Sequence, residues 1–134
     1  DKTLLDVGCG YGPLGLTLGK VFGLQVSLID INSRALDLAK TNAEKNQVEA
    51  TIFQSNIYEN VEGLFDYIIS NPPIRAGKSV VHEMIEGAFH HLVEGGRLTI
   101  VIHKGHRVLK KRWKTFSGIV KFSRRTRVII SLKA

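Results

Sequence analysis

Apolar residues fall along this chain in two alternating rhythms. Short apolar runs read as buried strands, and between them apolar residues recur every third or fourth position, as amphipathic helices require. Thr3–Val7, Gln25–Asp30, Val48–Phe53, Phe65–Ser70 and Arg97–Ile102 are predicted strands. Pro13–Phe22 is predicted helical, with proline at an early position where its missing N–H costs nothing. Asn32 or Ser33 caps a second helix, in which Ala35, Leu36, Leu38, Ala39 and Ala43 repeat at helical spacing. A third helix is predicted over Lys78–Val93, with Val81, Ile85, Ala88, Phe89 and Leu92 on one face and Gly95-Gly96 ending it. Gln54–Gly63 is polar and loop-like. His106–Phe116 reads as a basic helix with Val108, Leu109 and Trp113 inward. Gly118–Ser123 and Arg127–Leu132 close the chain as two strands around a tight basic turn.

Strand and helix in alternation predict an α/β fold. The expected form is a Rossmann-like, doubly wound, mostly parallel seven-stranded sheet with helices on both faces. The closing hairpin makes one strand antiparallel near the C-terminal edge. No repeat, low-complexity run or linker interrupts the pattern, so residues 1–134 read as a single domain. Asp1 stands almost directly before the first strand, and an N-terminal segment ahead of it is expected to be missing here.

Composition adds bounds. A chain of 134 residues, 43% hydrophobic, is large enough to bury a core. One cysteine provides no disulfide framework, which points to a reducing, cytoplasmic setting. No apolar run approaches the roughly 18 residues of a membrane span, and no signal-peptide pattern opens the chain.

Charge changes the picture more. Up to Glu94 there are 7 Lys/Arg against 12 Asp/Glu, a net −5, whereas Gly95–Ala134 holds 12 Lys/Arg and no acid. That basic part, with Lys110-Lys111-Arg112-Trp113-Lys114 and Arg124-Arg125-Thr126-Arg127, suits a polyanion such as nucleic acid. The plainer alternative is a solvated, solubilising surface.

The chemistry begins at the first strand's end, where Gly8, Gly10 and Gly12 alternate in DVGCGYGPLG. Glycines permit positive φ and let a ligand touch the backbone, and the following helix N-terminus offers unpaired N–H groups. A dinucleotide fingerprint would read G-x-G-x-x-G, and here Pro13 occupies the third glycine's place. Asp30 ends the second strand, where a carboxylate can accept hydrogen bonds from ribose hydroxyls. Asn71-Pro72-Pro73 ends the fourth strand, at the carboxyl edge where the ligand crevice of such sheets lies. An Asn oxygen and a rigid proline carbonyl can together accept both hydrogens of a planar –NH₂ group. That localises and aims the amine's lone pair, so positioning supplies much of the catalysis. A generic βαβ turn and a plain Asn-Pro turn are the bland alternatives.

Asp6-Val-Gly8-Cys-Gly10-Tyr-Gly12, Asp30-Ile-Asn-Ser-Arg-Ala-Leu and Asn71-Pro-Pro-Ile resemble successive motifs of class I S-adenosylmethionine-dependent methyltransferases. More narrowly, DVGCGYGPLG with SNPPIRAGK resembles the RsmC-like ribosomal RNA guanine-N2 methyltransferases, which act on 16S RNA. The resemblance implies that Gly8, Gly10 and Gly12 line the methionine part of the cofactor, with Asp6 organising it. Asp30 would hold the ribose, Ile31 would pack on adenine, and Asn56 with Ile57 would meet the adenine edge. Asn71, Pro72 and Pro73 would carry catalysis by holding the target amine. No metal is implied.

Many amine methyltransferases place Tyr or Phe after the two prolines to stack on a flipped base. Ile74 cannot stack so, which argues against adenine-amine and protein-glutamine acceptors. Arg75 and Lys78 are candidates for RNA phosphates, with a salt bridge to the Glu83/Glu86 helix as the alternative, and Ile74 and, at the end of the fifth strand, Lys104 are candidates to reach substrate. Ribosomal RNA or the small subunit is the implied partner. The rivals are another amine acceptor, a non-catalytic RNA-binding module with a degenerate pocket, and an NAD-dependent enzyme. Cys9 reads as small-residue packing and His90-His91 as a capping and solvent pair, with no Cys/His set beside them.

Overall fold

A computed structural model describes residues 1–73, 75–103, 116–121 and 127–133, and from Ile102 onward the backbone alone. Seven strands form one sheet: β1 (Thr3–Val7), β2 (Gln25–Asp30), β3 (Ala50–Gln54), β4 (Phe65–Ser70), β5 (Leu92–His103), β6 (Phe116–Lys121) and β7 (Arg127–Lys133). Their spatial order is β3-β2-β1-β4-β5-β7-β6. The pairs β1–β2, β1–β4, β2–β3 and β4–β5 are parallel, and β7 runs antiparallel to both β5 and β6.

Three helices connect the parallel strands: α1 (Pro13–Phe22), α2 (Ser33–Lys45) and α3 (Lys78–Ala88). Alternate residues of each strand serve opposite cores, as the two-residue period demands. Leu4, Val26, Leu28 and Ile69 pack with Leu16 of α1 and Leu36, Ala39 and Ala43 of α2. Leu5, Val7, Ile29, Ile68, Leu98 and Ile100 pack on the other side with Val81, Met84, Ile85 and Ala88 of α3. A parallel sheet covered on both faces explains why its strands read as nearly unbroken apolar runs.

The chain turns one way from β1 to β2 and β3, then crosses back so that β4 lies on the other side of β1. The connections leaving β1 and β4 therefore diverge, opening a crevice at their carboxyl ends. Ser70 Oγ donates to Val7 O at 2.8 Å and holds these two ends together.

Several boundaries differ from the periodic pattern. Helix α3 ends at Ala88, not Val93. His90 N–H donates to Gly87 O and His91 N–H to Ala88 O, tightening the last turn, and His91 O then accepts from Phe65 N–H. Leu92 thus opens β5 as a partner of Phe65, and the register shifts before Tyr67 meets Arg97. Gly95, at φ 79°, serves this bulge and not a helix end. Glycine at positive φ suits both, so the sequence signal is ambiguous.

Strand β3 starts at Ala50 and not Val48, because Val48 N–H still donates to Ala43 O of the preceding helix end. Leu38 is 59% exposed. Two residues beyond Leu36 is about 200° around a helix, the opposite face. Phe116 begins β6 instead of ending a helix, and β6 closes at Lys121. The remainder of the predicted helix, with Val108, Leu109 and Trp113, lies outside the described residues.

Candidate functional site

Past Val7 the chain turns through Gly8, Gly10 and Gly12 at φ 72°, 58° and 91°. A side chain at these angles would strain the backbone by about 1–2 kcal/mol. Gly8 and Cys9 both donate N–H to Ile29 O at 2.9 Å, so the turn is pinned to the neighbouring strand. Asp30 pins it again. Its Oδ2 accepts from Gly10 N–H at 2.8 Å, and its Oδ1 accepts from Asn32 N–H at 2.9 Å. Asn32 in turn caps α2, its Oδ1 accepting from the N–H groups of Arg34 and Ala35.

Beneath this turn sits Asp6, buried in β1, whose Oδ2 accepts from Gly15 N–H at 3.1 Å. Burial pushes its carboxyl up to about 7; the Gly15 bond pulls the other way and the charge of Asp30 adds to the rise. Gly15 is fixed by this packing, since a Cβ there would stand 2.5 Å from Leu28 Cδ2 and 2.9 Å from Asp6 Oδ2. Cys9 is buried, its thiol donates to Gly10 O, and burial followed by the charges of Asp6 and Asp30 pushes it up to about 12. That suits packing and disfavours a reactive thiolate.

The turn after β3 forms the facing wall. Ser55 N–H donates to Asp30 O, and Gln54 Nε2 donates to Ile31 O. Ser55 Oγ donates to Ile57 O at 2.8 Å and accepts from Asn60 N–H at 3.0 Å. Ile57 is held at φ 54°, a costly angle for a β-branched residue. Next to it, Tyr58 reaches α3, where its hydroxyl donates to Met84 O at 2.5 Å. Its ring stacks on His91 at 5.3 Å and lies where any Cβ on Gly87 would intrude. His91 Nδ1–H donates to Gly63 O, so this histidine braces the turn.

The third contributor is the loop after β4. Asn71 and Pro73 are exposed, Pro72 is buried, and Ala76 N–H donates to Pro73 O at 2.8 Å. Met84 spans from α3 toward the first turn: its sulfur lies 3.4 Å from Ser70 Oγ, and its Cε would lie 3.8 Å from a Cβ on Gly8.

These three turns enclose a cleft of about 360 Å³ that brings together Gly8, Asp30, Ile31, Asn56, Ile57, Pro73 and Arg75 with Ser55, Val80 and Met84. Of the remaining candidates, Gly12 is packed against Leu16 and Leu28, Gly10 faces open space, and Asp6 lies beneath the turn. Asn71 and Pro72 are at the end of β4 without lining the cleft. Lys78 lines a separate hollow on α3 with His82, Glu83 and Glu86. Ile74 and Lys104 lie outside the described residues.

Sequence reasoning missed Ser55, Tyr58 and Met84. Ser55, a polar residue at a strand's carboxyl end, carried a detectable signal; the other two carried none. Among the described residues no three His, Cys, Asp or Glu side chains converge as a metal ion requires, and no helix is long and apolar enough to cross a membrane.

The cleft fits an adenosine-like ligand without phosphates. Asp30 spends one acceptor position per oxygen, and a carboxylate offers about four, which leaves capacity for a diol. Ile31, 62% exposed, and Ile57 provide apolar walls, and Asn56 a polar edge. Gly8 brings bare backbone to the ligand, and no lysine or arginine stands in the glycine turn.

Strand order, glycine turn and strand-end acid together define a Rossmann-like methyltransferase fold. Solved structures agree: a methyltransferase of Pyrococcus furiosus superposes with TM-score 0.84 at 24% identity, over 98% of this chain and 74% of that one. A T. thermophilus 16S rRNA N2 G1207 methyltransferase, solved with AdoMet and guanosine, gives 0.85 at 23%, over 98% and 37%. The family model for the methyltransferase small domain matches residues 1–128, and the chain belongs to that family. Among its relatives, YbxB of Bacillus subtilis is 48% identical over 75% of this chain and 52% of its own length. Ribosomal RNA small subunit methyltransferase C of Erwinia tasmaniensis is 40% identical over 73% of this chain and 30% of its own. The chain thus matches about half of the first relative and under a third of the second.

Proposed function

We propose that this domain transfers a methyl group from S-adenosylmethionine to the exocyclic N2 amine of a guanine in small-subunit 16S ribosomal RNA, in the cytoplasm. One observation carries the reading: Asp30 and Pro73 line the same cleft. The cofactor turn and the Asn71 loop therefore face each other across one ligand-sized space. Family membership supports the methyl transfer, and the names of the relatives support the ribosomal RNA target.

When bound, S-adenosylmethionine supplies a methyl group already activated on a sulfonium. The residues of this chain bind and orient. Asp30 holds the ribose hydroxyls, Ile31 and Ile57 flank the adenine, and Asn56 meets its polar edge. Gly8 and Gly10 present backbone to the methionine portion, with Asp6 keeping the turn in place from below. The Asn71 side-chain oxygen and the Pro72 carbonyl accept the hydrogens of the target amine, turning its lone pair toward the methyl group. Arg75, exposed beside the cleft, is a partner for a phosphate next to the target base.

Transfer from labelled S-adenosylmethionine to total RNA or small ribosomal subunits, followed by digestion and identification of the labelled nucleoside, tests this function. N2-methylguanosine is expected. Label in methyladenosine or protein would replace the acceptor, and salt-dependent RNA binding without label would favour a binding module. Asn71→Ala should keep cofactor affinity and lose transfer by about 10²–10³-fold, on the scale of losing one transition-state hydrogen bond. Full activity in that variant would end the amine-holding mechanism.

A further inference from the structure

Ile57 is held at an angle that apolar packing alone does not explain. Its φ of 54° is left-handed, and among the described residues other than glycine only Gln47 shares that region. Gln47 directly follows the Asn46 cap of α2, a place where helices commonly end on such a residue. Ile57 follows a strand and a polar turn, and its branched β-carbon makes the region costlier still. A residue strained in this way persists only where its surroundings over-determine it.

Ser55 supplies the constraint. It is 2% exposed, and its hydroxyl donates to Ile57 O at 2.8 Å while accepting from Asn60 N–H at 3.0 Å. A hydroxyl has one proton, so the bond to Ile57 O leaves none to donate to a ligand. Ser55 is itself anchored, since its N–H donates to Asp30 O at the end of β2. On the far side Tyr58 is fixed to α3 through Met84 O, so the chain after Ile57 is not free to shift and relieve the angle.

The angle decides the shape of the cleft wall. The φ of Ile57 is the rotation between the Asn56–Ile57 peptide and the Ile57 side chain. Moving it from 54° to an ordinary helical value, near −60°, turns one against the other by about 115°. At 54°, Asn56 and Ile57 both line the cleft beside Asp30. An ordinary angle would take one of the two away from it.

We infer that Ser55 is a positioning residue for the adenine of the cofactor, holding Ile57 left-handed so that Asn56 and Ile57 form one wall. This rests on the assignment of Asn56 and Ile57 to the adenine under the proposed function. Ser55 acts through Ile57 and touches no reacting atom. The two positions are therefore coupled. Where residue 57 enters the left-handed region unaided, as glycine does, the Ser55 hydroxyl loses its purpose.

Calorimetric binding of S-adenosylhomocysteine to a double-mutant cycle tests the coupling. Ser55→Ala should weaken binding by about tenfold, the equivalent of one hydrogen bond. Ile57→Gly loses an apolar contact of its own, and adding Ser55→Ala to it should cost less than about twofold further. An equal loss in both backgrounds, or none in either, would overturn the inference. In transfer assays Ser55→Ala should raise KM for S-adenosylmethionine and leave kcat within about twofold, since the Asn71 loop is untouched. A loss confined to kcat would also overturn it. If Ser55→Ala alone does not fold, Ser55→Ala/Ile57→Gly should fold and bind as Ile57→Gly does. A double variant that fails as well would make Ser55 a core residue only. Failure of the unaltered protein to bind S-adenosylhomocysteine would strike the proposed function itself, whereas binding without coupling would strike this inference alone.

Discussion

Two turns that border the cleft reach left-handed backbone by opposite means. After β1 the chain uses glycine, and its turn is held by backbone donors to Ile29 O and the Asp30 carboxylate. After β3 the same kind of angle falls on Ile57, a residue that resists it. The first turn needs bare backbone where a ligand must come close. The second needs an apolar side chain on the cleft wall, and it is braced by Ser55, Asn60 and Tyr58. Each turn also rests on a titratable group drawn out of water, Asp6 buried and Tyr58 half-buried. Burial raises the Tyr58 hydroxyl, which keeps it neutral across the ordinary pH range. Asp6 is pushed up to about 7, in the middle of that range. The Asp6 carboxyl thus titrates within that range and the Tyr58 hydroxyl does not.

The largest expected effect breaks that difference. The unfolded chain ionises Asp6 near 3.8, whereas the folded protein keeps its proton up to about 7. The folded state therefore binds more protons between these values, and stability from this group declines as pH rises through that window, by up to about 4 kcal/mol. Asp6→Asn retains an oxygen for Gly15 N–H and should remove the decline. Denaturant titrations of both proteins at several pH values check it, and parallel curves would refute the buried carboxyl as its source.

Asp30→Ala comes next. It removes the acceptor for Gly10 and Asn32 and, on the proposed function, for the ribose. S-adenosylmethionine affinity should fall by about 1.5–3 kcal/mol, the scale of a charged hydrogen bond, and calorimetry reads it. Unchanged affinity would displace the pocket.

Tyr58→Phe keeps the ring between Gly87 and His91 and loses only the bond to Met84 O. A loss of about 1 kcal/mol is expected at every pH between the extremes, in contrast to Asp6. The smallest effect concerns Ile57. At ordinary positions glycine is less stable than alanine by about 0.5–1 kcal/mol. At φ 54° that order should reverse, with Ile57→Gly at least as stable as Ile57→Ala by thermal unfolding. The usual order would mean that the turn is not held in the left-handed region.

Much of the fold is legible in the sequence because each of its elements is a local pattern. The limits of β1, α1, β2 and β4 follow directly from apolar runs, Pro13 and the Asn71-Pro72 stop. The errors fall where one residue type serves two geometries. Gly95 reads as a helix end and proves to be part of a strand bulge, and Leu38 reads as part of a buried face that its spacing from Leu36 forbids. In the cleft, Gly8, Asp30 and Pro73 are legible since turn chemistry marks strand ends. Tyr58 and Met84 are not, because nothing near either residue in sequence announces a partner 26 positions away.

By itself, then, the sequence determined the alternation of strands and helices, the glycine turn, the acid at the end of β2, and the separation of acidic and basic parts. These depend on neighbours a few residues apart. The tertiary structure decided which strand ends meet. Ser70 bonds to Val7 across 63 positions, and that pairing sets the Asn71 loop beside the glycine turn. The register of β5 with β7 likewise brings Arg127 to the edge that carries the cleft. Such contacts depend on packing both faces of one sheet at once, which no local pattern encodes.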